Sequence, residues 1–189
     1  LALCLCSLEH LFFDTLPNDQ LFRRKASYVA RLGSGSACRS IFAKAALWGT
    51  TGLVEGAANE YAVPVGQNLH MNFQGFRDAI LLVSKEEKAV SSSAGHQLMD
   101  QHPYGAVRFE EARRHLDQLI SCLHRGDLEH FVQICESDAM QLHAMMMASH
   151  PYYILMQPNT VKILQLIQEF RKTTGIPACF TLDAGPNVH

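Results

Sequence analysis

An α+β fold with helices packed on a sheet is the class this chain predicts, and three observations carry it. From Arg77 onward the elements run strand, helices, strand, the order of a layered α+β arrangement. The helical segments carry apolar residues three and four apart, so each has one face to bury. Apolar residues are 48% of the 189 and charged ones 18%, which suits a solid core and excludes global disorder.

At the start, Leu1, Leu5, Leu8 and Phe12 recur at helical spacing, with Glu9 and His10 on other faces, and predict a core helix entered midway. The same apolar run read as a signal peptide lacks a basic segment before it and a small-residue cleavage pattern after it. Pro17-Asn18 closes this helix, and Asp19 is the expected cap of a second that runs toward Leu32, with Gly33 suited to the position just past its end. A Ser-Gly-Ser turn follows, then a short helical turn begun at Ser36. Residues Ile41 to Trp48, small and apolar, read as a strand. Thr50 to Gln67, rich in Gly, Ala and Asn, reads as a loop with one irregular strand at most.

Arg77 to Ser84 has the continuous apolar run of a buried strand. Phe109 to Arg125 places Ala112, Leu116, Leu119 and Leu123 on one helical face and ends at Gly126. Asp127 caps a long helix reaching about Ala148, and Pro151 blocks its continuation. Asn159 is the expected cap of Thr160 to Lys172, whose Ile163, Leu164, Ile167 and Phe170 form an apolar stripe. Ala178 to Leu182 is the last strand. A boundary near residues 68–76 divides the chain into 1–72 and 73–189. Val188-His189 stops just beyond a turn, where a strand should leave, so the chain is expected to be cut at both ends.

The formal charge of −2 argues against a general nucleic-acid binder, so any anion site must be built locally. No stretch reaches transmembrane length. Six cysteines, at 4, 6, 38, 122, 135 and 179, form no C-x-x-C pair and no repeated zinc spacing, and read as reduced thiols of a cytosolic protein. His143 and His150, seven apart on one helix, face one way, but a zinc site needs further ligands, and no metal residue is assigned.

Two motifs carry the chemistry. Ser34-Gly35-Ser36-Ala37-Cys38-Arg39 gathers two hydroxyls, a glycine and a guanidinium in one short turn, which suits an anion bearing phosphate or carboxylate. A solvated arginine after an ordinary turn is the alternative. Thr181-Leu182-Asp183-Ala184-Gly185-Pro186-Asn187 ends a strand on a carboxylate and a tight turn, where an aspartate can equally serve only as a turn cap.

S-G-S-A-C-R-S followed much later by T-L-D-A-G-P-N resembles the diphosphomevalonate decarboxylases of the GHMP kinase superfamily. Ser84 to Gly95 is similar to that family's loop after a central strand, and Leu142-His143-Ala144 to its later helical motif. The resemblance spans essentially the whole chain. It implies a two-domain GHMP-kinase-like architecture, with 1–72 from the N-terminal ATP/substrate domain and 73–189 most of a ferredoxin-like C-terminal domain. The implied activity is ATP-dependent decarboxylation of mevalonate 5-diphosphate to isopentenyl diphosphate. ATP and Mg²⁺ are the implied cofactors, a homodimer the implied assembly, and the cytoplasm the implied location, with no nucleic-acid or membrane partner. A related mevalonate or phosphomevalonate kinase that does not decarboxylate, or a non-catalytic relative, is the alternative.

The resemblance assigns catalysis to Asp183, beside the substrate's 3-hydroxyl, and to Arg39, which meets the substrate's carboxylate. Ser34, Gly35, Ser36, Ala37, Cys38 and Arg39 form the implied substrate cradle, with Ser92 and Ser93 in a second substrate or phosphate loop. Ser92 capping the helix that follows is the competing role. Lys85 and Lys88 are candidates for nucleotide phosphates, with solvated lysines as the alternative, and the principal ATP loop is expected N-terminal to residue 1. His96 stands where many members have Met, and Ala139-Met140 where Ser-Asn is frequent. Met140 and Met145 to Met147 read as core filling.

Overall fold

A computed structural model describes residues 1–16, 18–85 and 102–189. These fall into two compact units, Leu1–Leu69 and His70–His189.

In the first unit, α1 (Ala2–Phe13) and α2 (Asp19–Gly33) pack on each other, followed by a 3₁₀ helix (Gly35–Ile41) and a two-stranded antiparallel ribbon of β1 (Ala46–Trp48) and β2 (Ala62–Pro64). The ribbon pairs Ala46 with Pro64, Leu47 with Val63 and Trp48 with Ala62. Cys6, Leu16, Ala26 and Ile41 form the core, joined by Ala2, Phe22, Val29, Ala30 and Phe42. An ion pair between Lys25 and Glu9 ties α2 to α1.

The first unit departs from several expectations. The buried side of α1 is that of Cys6, while Leu1, Leu5, Leu8 and Phe12 are exposed, because the contact with α2 and its Lys25 anchor selects the Ala2/Cys6 side. The cap of α2 is Asn18, whose Oδ1 accepts the Leu21 N–H at 2.9 Å. Asp19 instead lies in the first turn and pairs with Arg23. Gly33 is the last helical residue, with extended Ser34 after it. The strand predicted from Ile41 begins only at Ala46: Ile41 still belongs to the 3₁₀ helix, and Lys44 takes the left-handed region (φ 63°), which interrupts an extended path.

The second unit holds α3 (Gly105–Arg125), α4 (Leu128–Ala148) and α5 (Pro158–Thr174). Helices α3 and α4 are joined by Gly126, at φ 78°. A Cβ there would meet His70 Nδ1 at 2.2 Å, so both backbone and space require glycine. Asp127 caps α4 by accepting the His130 N–H at 3.1 Å. Gln157, rather than the expected Asn159, is the N-cap of α5. Pro158 takes the first helical position, where its missing N–H is not needed, and Thr160 Oγ1 accepts the Gln157 N–H at 3.1 Å.

The sheet side of this unit is sparse among the described residues. Val188 is bridged antiparallel to both Leu81 and Leu182, and Thr181 and His189 exchange two backbone hydrogen bonds of 2.9 and 3.0 Å. The core consists of Ala139, Leu164, Phe180, Leu182 and Val188, with Met156, Ile163 and Ile167 against it, so α4 and α5 cover one face of these strand segments. A side-chain bracket adds to this. Arg171 on α5 donates to both Glu136 oxygens on α4 (2.6 and 3.1 Å) and to the Ala178 carbonyl (2.6 Å).

The buried strand expected at Arg77 to Ser84 is corrected: among the described residues only Leu81 of this run forms a strand bridge, and Ile80, Leu81 and Leu82 are exposed, because no described layer covers that face. Of the methionines, Met145 and Met146 are buried, while Met140 and Met147 are exposed on the opposite side of α4.

Gly126→Ala should destabilise the protein by about 1–3 kcal/mol, through the left-handed backbone and the clash with His70. A urea unfolding midpoint checks this, and an unchanged midpoint would mean that His70 swings aside freely.

Candidate active site

Two surfaces carry the predicted residues, one in each unit. In the first, the Ser34–Arg39 run leaves the end of α2. The Ser34 N–H donates to the Ala30 carbonyl (3.1 Å), and the Ser34 carbonyl accepts the Ala37 N–H (3.0 Å), which starts the 3₁₀ helix. The turn is held from inside. Cys38 is fully buried, and its Sγ lies 3.1 Å from the Gly35 carbonyl. Ser27, also fully buried, donates Oγ–H to the Cys38 carbonyl and accepts the Ala62 N–H, both at 2.9 Å, so one hydroxyl joins α2, the turn and β2.

Trp48 backs the turn from β1. A Cβ on Gly35 would stand 3.0 Å from the Trp48 ring, so glycine is the residue that lets the indole approach. The indole is fixed by its N–H to the Asn59 carbonyl (2.8 Å), and the Arg31 guanidinium lies 5.7 Å above it. This leaves Ser34, Gly35, Ser36 and Arg39 exposed along one short stretch, with Ala37 half-buried. Among the described residues Arg39 enters no ion pair. Burial pushes the Cys38 thiol above its ordinary pKa, with the Arg39 charge working weakly the other way, so Cys38 packs as a neutral thiol.

In the second unit, Asp183 stands exposed where Phe180-Thr181-Leu182 ends, and the turn after it is fixed by backbone-directed bonds. The Asp183 carbonyl accepts the Gly185 N–H (2.7 Å) and lies 3.1 Å from His143 Nε2 on α4. The Pro186 carbonyl accepts Thr160 Oγ1–H from α5 (2.6 Å). Asn187 Oδ1 accepts the N–H groups of Val83 (2.9 Å) and Ser84 (3.1 Å), tying the turn to the 81–84 segment. The Asp183 main chain is therefore held while its side chain faces outward.

His143 is 1% exposed. A carbonyl only accepts, so Nε2 carries the hydrogen. Burial lowers the His143 pKa, and the bond to the Asp183 carbonyl offsets this only in part.

Among the predicted residues, Ser34 to Arg39 are gathered on one turn of the first unit and Asp183 belongs to the second. Ser92, Ser93, Lys88 and His96 lie outside the described residues. Lys85 is exposed. The sequence motifs do not mark the supports Ser27, Trp48 and Thr160. Ser27 and Trp48 act across long separations and carry no local signal. Thr160 stands at N3 of α5, three residues after its cap, which is a readable capping position.

These units define an α+β protein of the GHMP-kinase fold. The mevalonate diphosphate decarboxylase of Staphylococcus aureus matches with a TM-score of 0.76 and 26% identity, over 99% of this chain and 54% of that one. A solved complex, MDDEF with MVAPP, AMPPCP and magnesium, matches with a TM-score of 0.69 and 27% identity, over 88% of this chain and 49% of that one. The diphosphomevalonate decarboxylase of Debaryomyces hansenii is 32% identical over 165 residues, 86% of this chain and 42% of its own length. The chain thus spans less than half the length of that relative. Residues 79–189 match the mevalonate 5-diphosphate decarboxylase C-terminal domain, and the chain belongs to that family.

The depressed His143 pKa has a pH signature. Between its folded and unfolded pKa values the unfolded state binds more protons, so His143 contributes full stability above the unfolded value of about 6.5, lost as pH falls below it. Urea midpoints at pH 7.5 and 5.0 should differ more in the wild type than in His143→Gln, and equal differences would show that His143 titrates normally.

Proposed function

We propose that the protein carrying this sequence decarboxylates mevalonate 5-diphosphate in an ATP-dependent reaction, giving isopentenyl diphosphate, phosphate, ADP and carbon dioxide. The observation that carries the proposal is that a chain of this family keeps two intact features, one in each unit: an outward-facing Asp183 on a clamped turn, and an exposed Arg39 closing the Ser34–Arg39 turn. The S. aureus and D. hansenii proteins bear the decarboxylase name, and the MDDEF complex holds MVAPP with an ATP analogue and magnesium.

The first step places the γ-phosphoryl of ATP on the substrate's 3-hydroxyl. A tertiary alcohol has a pKa far above that of any carboxylate, so Asp183 takes the proton only as the oxygen–phosphorus bond forms, and aim matters more than basicity. In the second step the C3–O bond breaks with departure of phosphate, positive charge develops at C3, and the C–C bond electrons collapse toward it as carbon dioxide leaves. Arg39 holds the carboxylate with two parallel N–H bonds, so that the bond to be broken is correctly oriented. Ser34 and Ser36, with the backbone from Gly35 to Cys38, cradle the substrate's anionic groups.

Mg²⁺ accompanies ATP and offsets charge between the two polyanions. Among the described residues no three His, Cys, Asp or Glu side chains gather as a metal site. Ser92, Ser93 and Lys88 remain proposed contacts to substrate or nucleotide phosphates. Residues 1–72 are proposed as part of the ATP/substrate domain, with 73–189 the C-terminal domain. No helix among the described residues is long and apolar enough to cross a membrane. A cytoplasmic homodimer is the assembly proposed, by analogy with the family.

The test is an assay of the complete polypeptide with ATP, Mg²⁺ and carboxyl-labelled mevalonate diphosphate, following carbon dioxide and ADP together. Equal release is expected, and ADP without carbon dioxide would make the protein a kinase. Asp183→Asn should lower both products by at least about 10³-fold, as for loss of a group that acts on the reacting atoms. Arg39→Lys, which keeps charge but loses the two-pronged grip, should lower kcat about 10²-fold, and wild-type turnover would remove Arg39 from the site.

A further inference from the structure

We infer that His143 is the positioning residue for Asp183: the Nε2–H of this buried helical histidine, directed at the Asp183 main-chain carbonyl, fixes the direction in which the carboxylate projects. The inference deepens the catalytic reading of Asp183 and rests on it.

Without this bond the Asp183 backbone would be held less firmly. Among the described residues its carbonyl otherwise accepts only the Gly185 N–H two residues on, a tight three-residue contact at 2.7 Å. A turn of that size, next to an alanine and a glycine, leaves the 183–184 peptide plane easily rotated. Rotation about the Asp183 Cα–C bond changes where Cβ points relative to the rest of the unit. A second bond from outside the turn removes that freedom, and His143 supplies it at 3.1 Å across 40 residues of sequence.

Three properties suit His143 to this task. It sits in the interior of α4, a helix of 21 residues, so its backbone is rigid. Its ring is 1% exposed, so water cannot easily replace the lost donor. It also touches the residue that carries the carboxylate, whereas Thr160 and Asn187 act on the far end of the turn, at the Pro186 carbonyl and through the Asn187 side chain. Two clamps at the exit of the turn and one at its entrance hold the strand end as a unit. Only the entrance clamp bears on the aim of the carboxylate.

For phosphoryl transfer this matters strongly, because a misplacement of about 1 Å at a reacting group lowers rates by about 10²-fold. His143 is not proposed to contact substrate. Its effect runs through Asp183 alone.

The test uses the complete polypeptide and compares His143→Leu, which removes the donor, with His143→Gln, whose side-chain amide presents an N–H from near the Nε2 position. His143→Leu should lower kcat for carbon dioxide release about 10–100-fold while both KM values stay within about 3-fold. His143→Gln should recover kcat to within about 5-fold of wild type. Thermal melting of each variant separates lost fold from lost aim. Should His143→Leu fail to fold, His143→Asn, with its amide drawn back from the carbonyl, takes its place. Equal kcat for the Leu (or Asn) and Gln variants, or a loss confined to KM, would overturn the inference. Asp183→Asn in the same assay isolates the underlying reading. Full activity there removes Asp183 from catalysis whatever His143 does. Loss there, with an active His143→Leu, overturns the positioning role alone.

Discussion

The burial of Val188 between two bridge partners is the constraint on which the second unit depends. The residue is fully buried, its carbonyl accepts the Leu81 N–H at 2.7 Å, and its N–H reaches the Leu81 carbonyl at 3.2 Å, with Leu182 on its other side. Strand segments this short do not hold together alone, since four ladder bonds offset little conformational entropy. What holds them is the apolar face that α4 and α5 lay over Phe180, Leu182 and Val188. The Arg171 bracket adds charge-assisted bonds between the same helices and the Ala178 carbonyl.

That arrangement explains how an exposed carboxylate is kept in a fixed place. A turn at the end of a strand exposes carbonyl groups that water would otherwise satisfy, and water holds nothing in position. Here two of these carbonyls are taken by side chains from the covering helices, so helix packing and turn geometry are one mechanical system. The neutral state of His143 follows from the same burial that makes it rigid.

The first unit uses the same device on a smaller scale. Ser27 is a polar residue in the middle of α2, where it adds little to helix stability, yet its hydroxyl satisfies a turn carbonyl and a strand N–H at once. Trp48 closes the turn from the other side, at the one position where a missing Cβ admits the ring. With Ser27 and Trp48 holding the turn, Ser34, Ser36 and Arg39 stay exposed.

The sequence by itself determined the α+β class, the end of α3 and the span of α4 with Gly126 and Asp127 between them, and the two motifs that led to the family, because helical periodicity, capping chemistry and motif spacing are local signals. It misjudged the exposed Leu face of α1, the run from Arg77 to Ser84 and the caps of α2 and α5. The first two failed because an apolar stripe shows that a face can be buried but not what covers it. The caps failed because neighbouring polar residues compete for one position and packing selects among them. Asp183 was legible from its motif. That its backbone is held by His143 and Thr160 was decided only in three dimensions, since those contacts close loops of 40 and 26 residues and no local pattern encodes which carbonyl a buried donor will find.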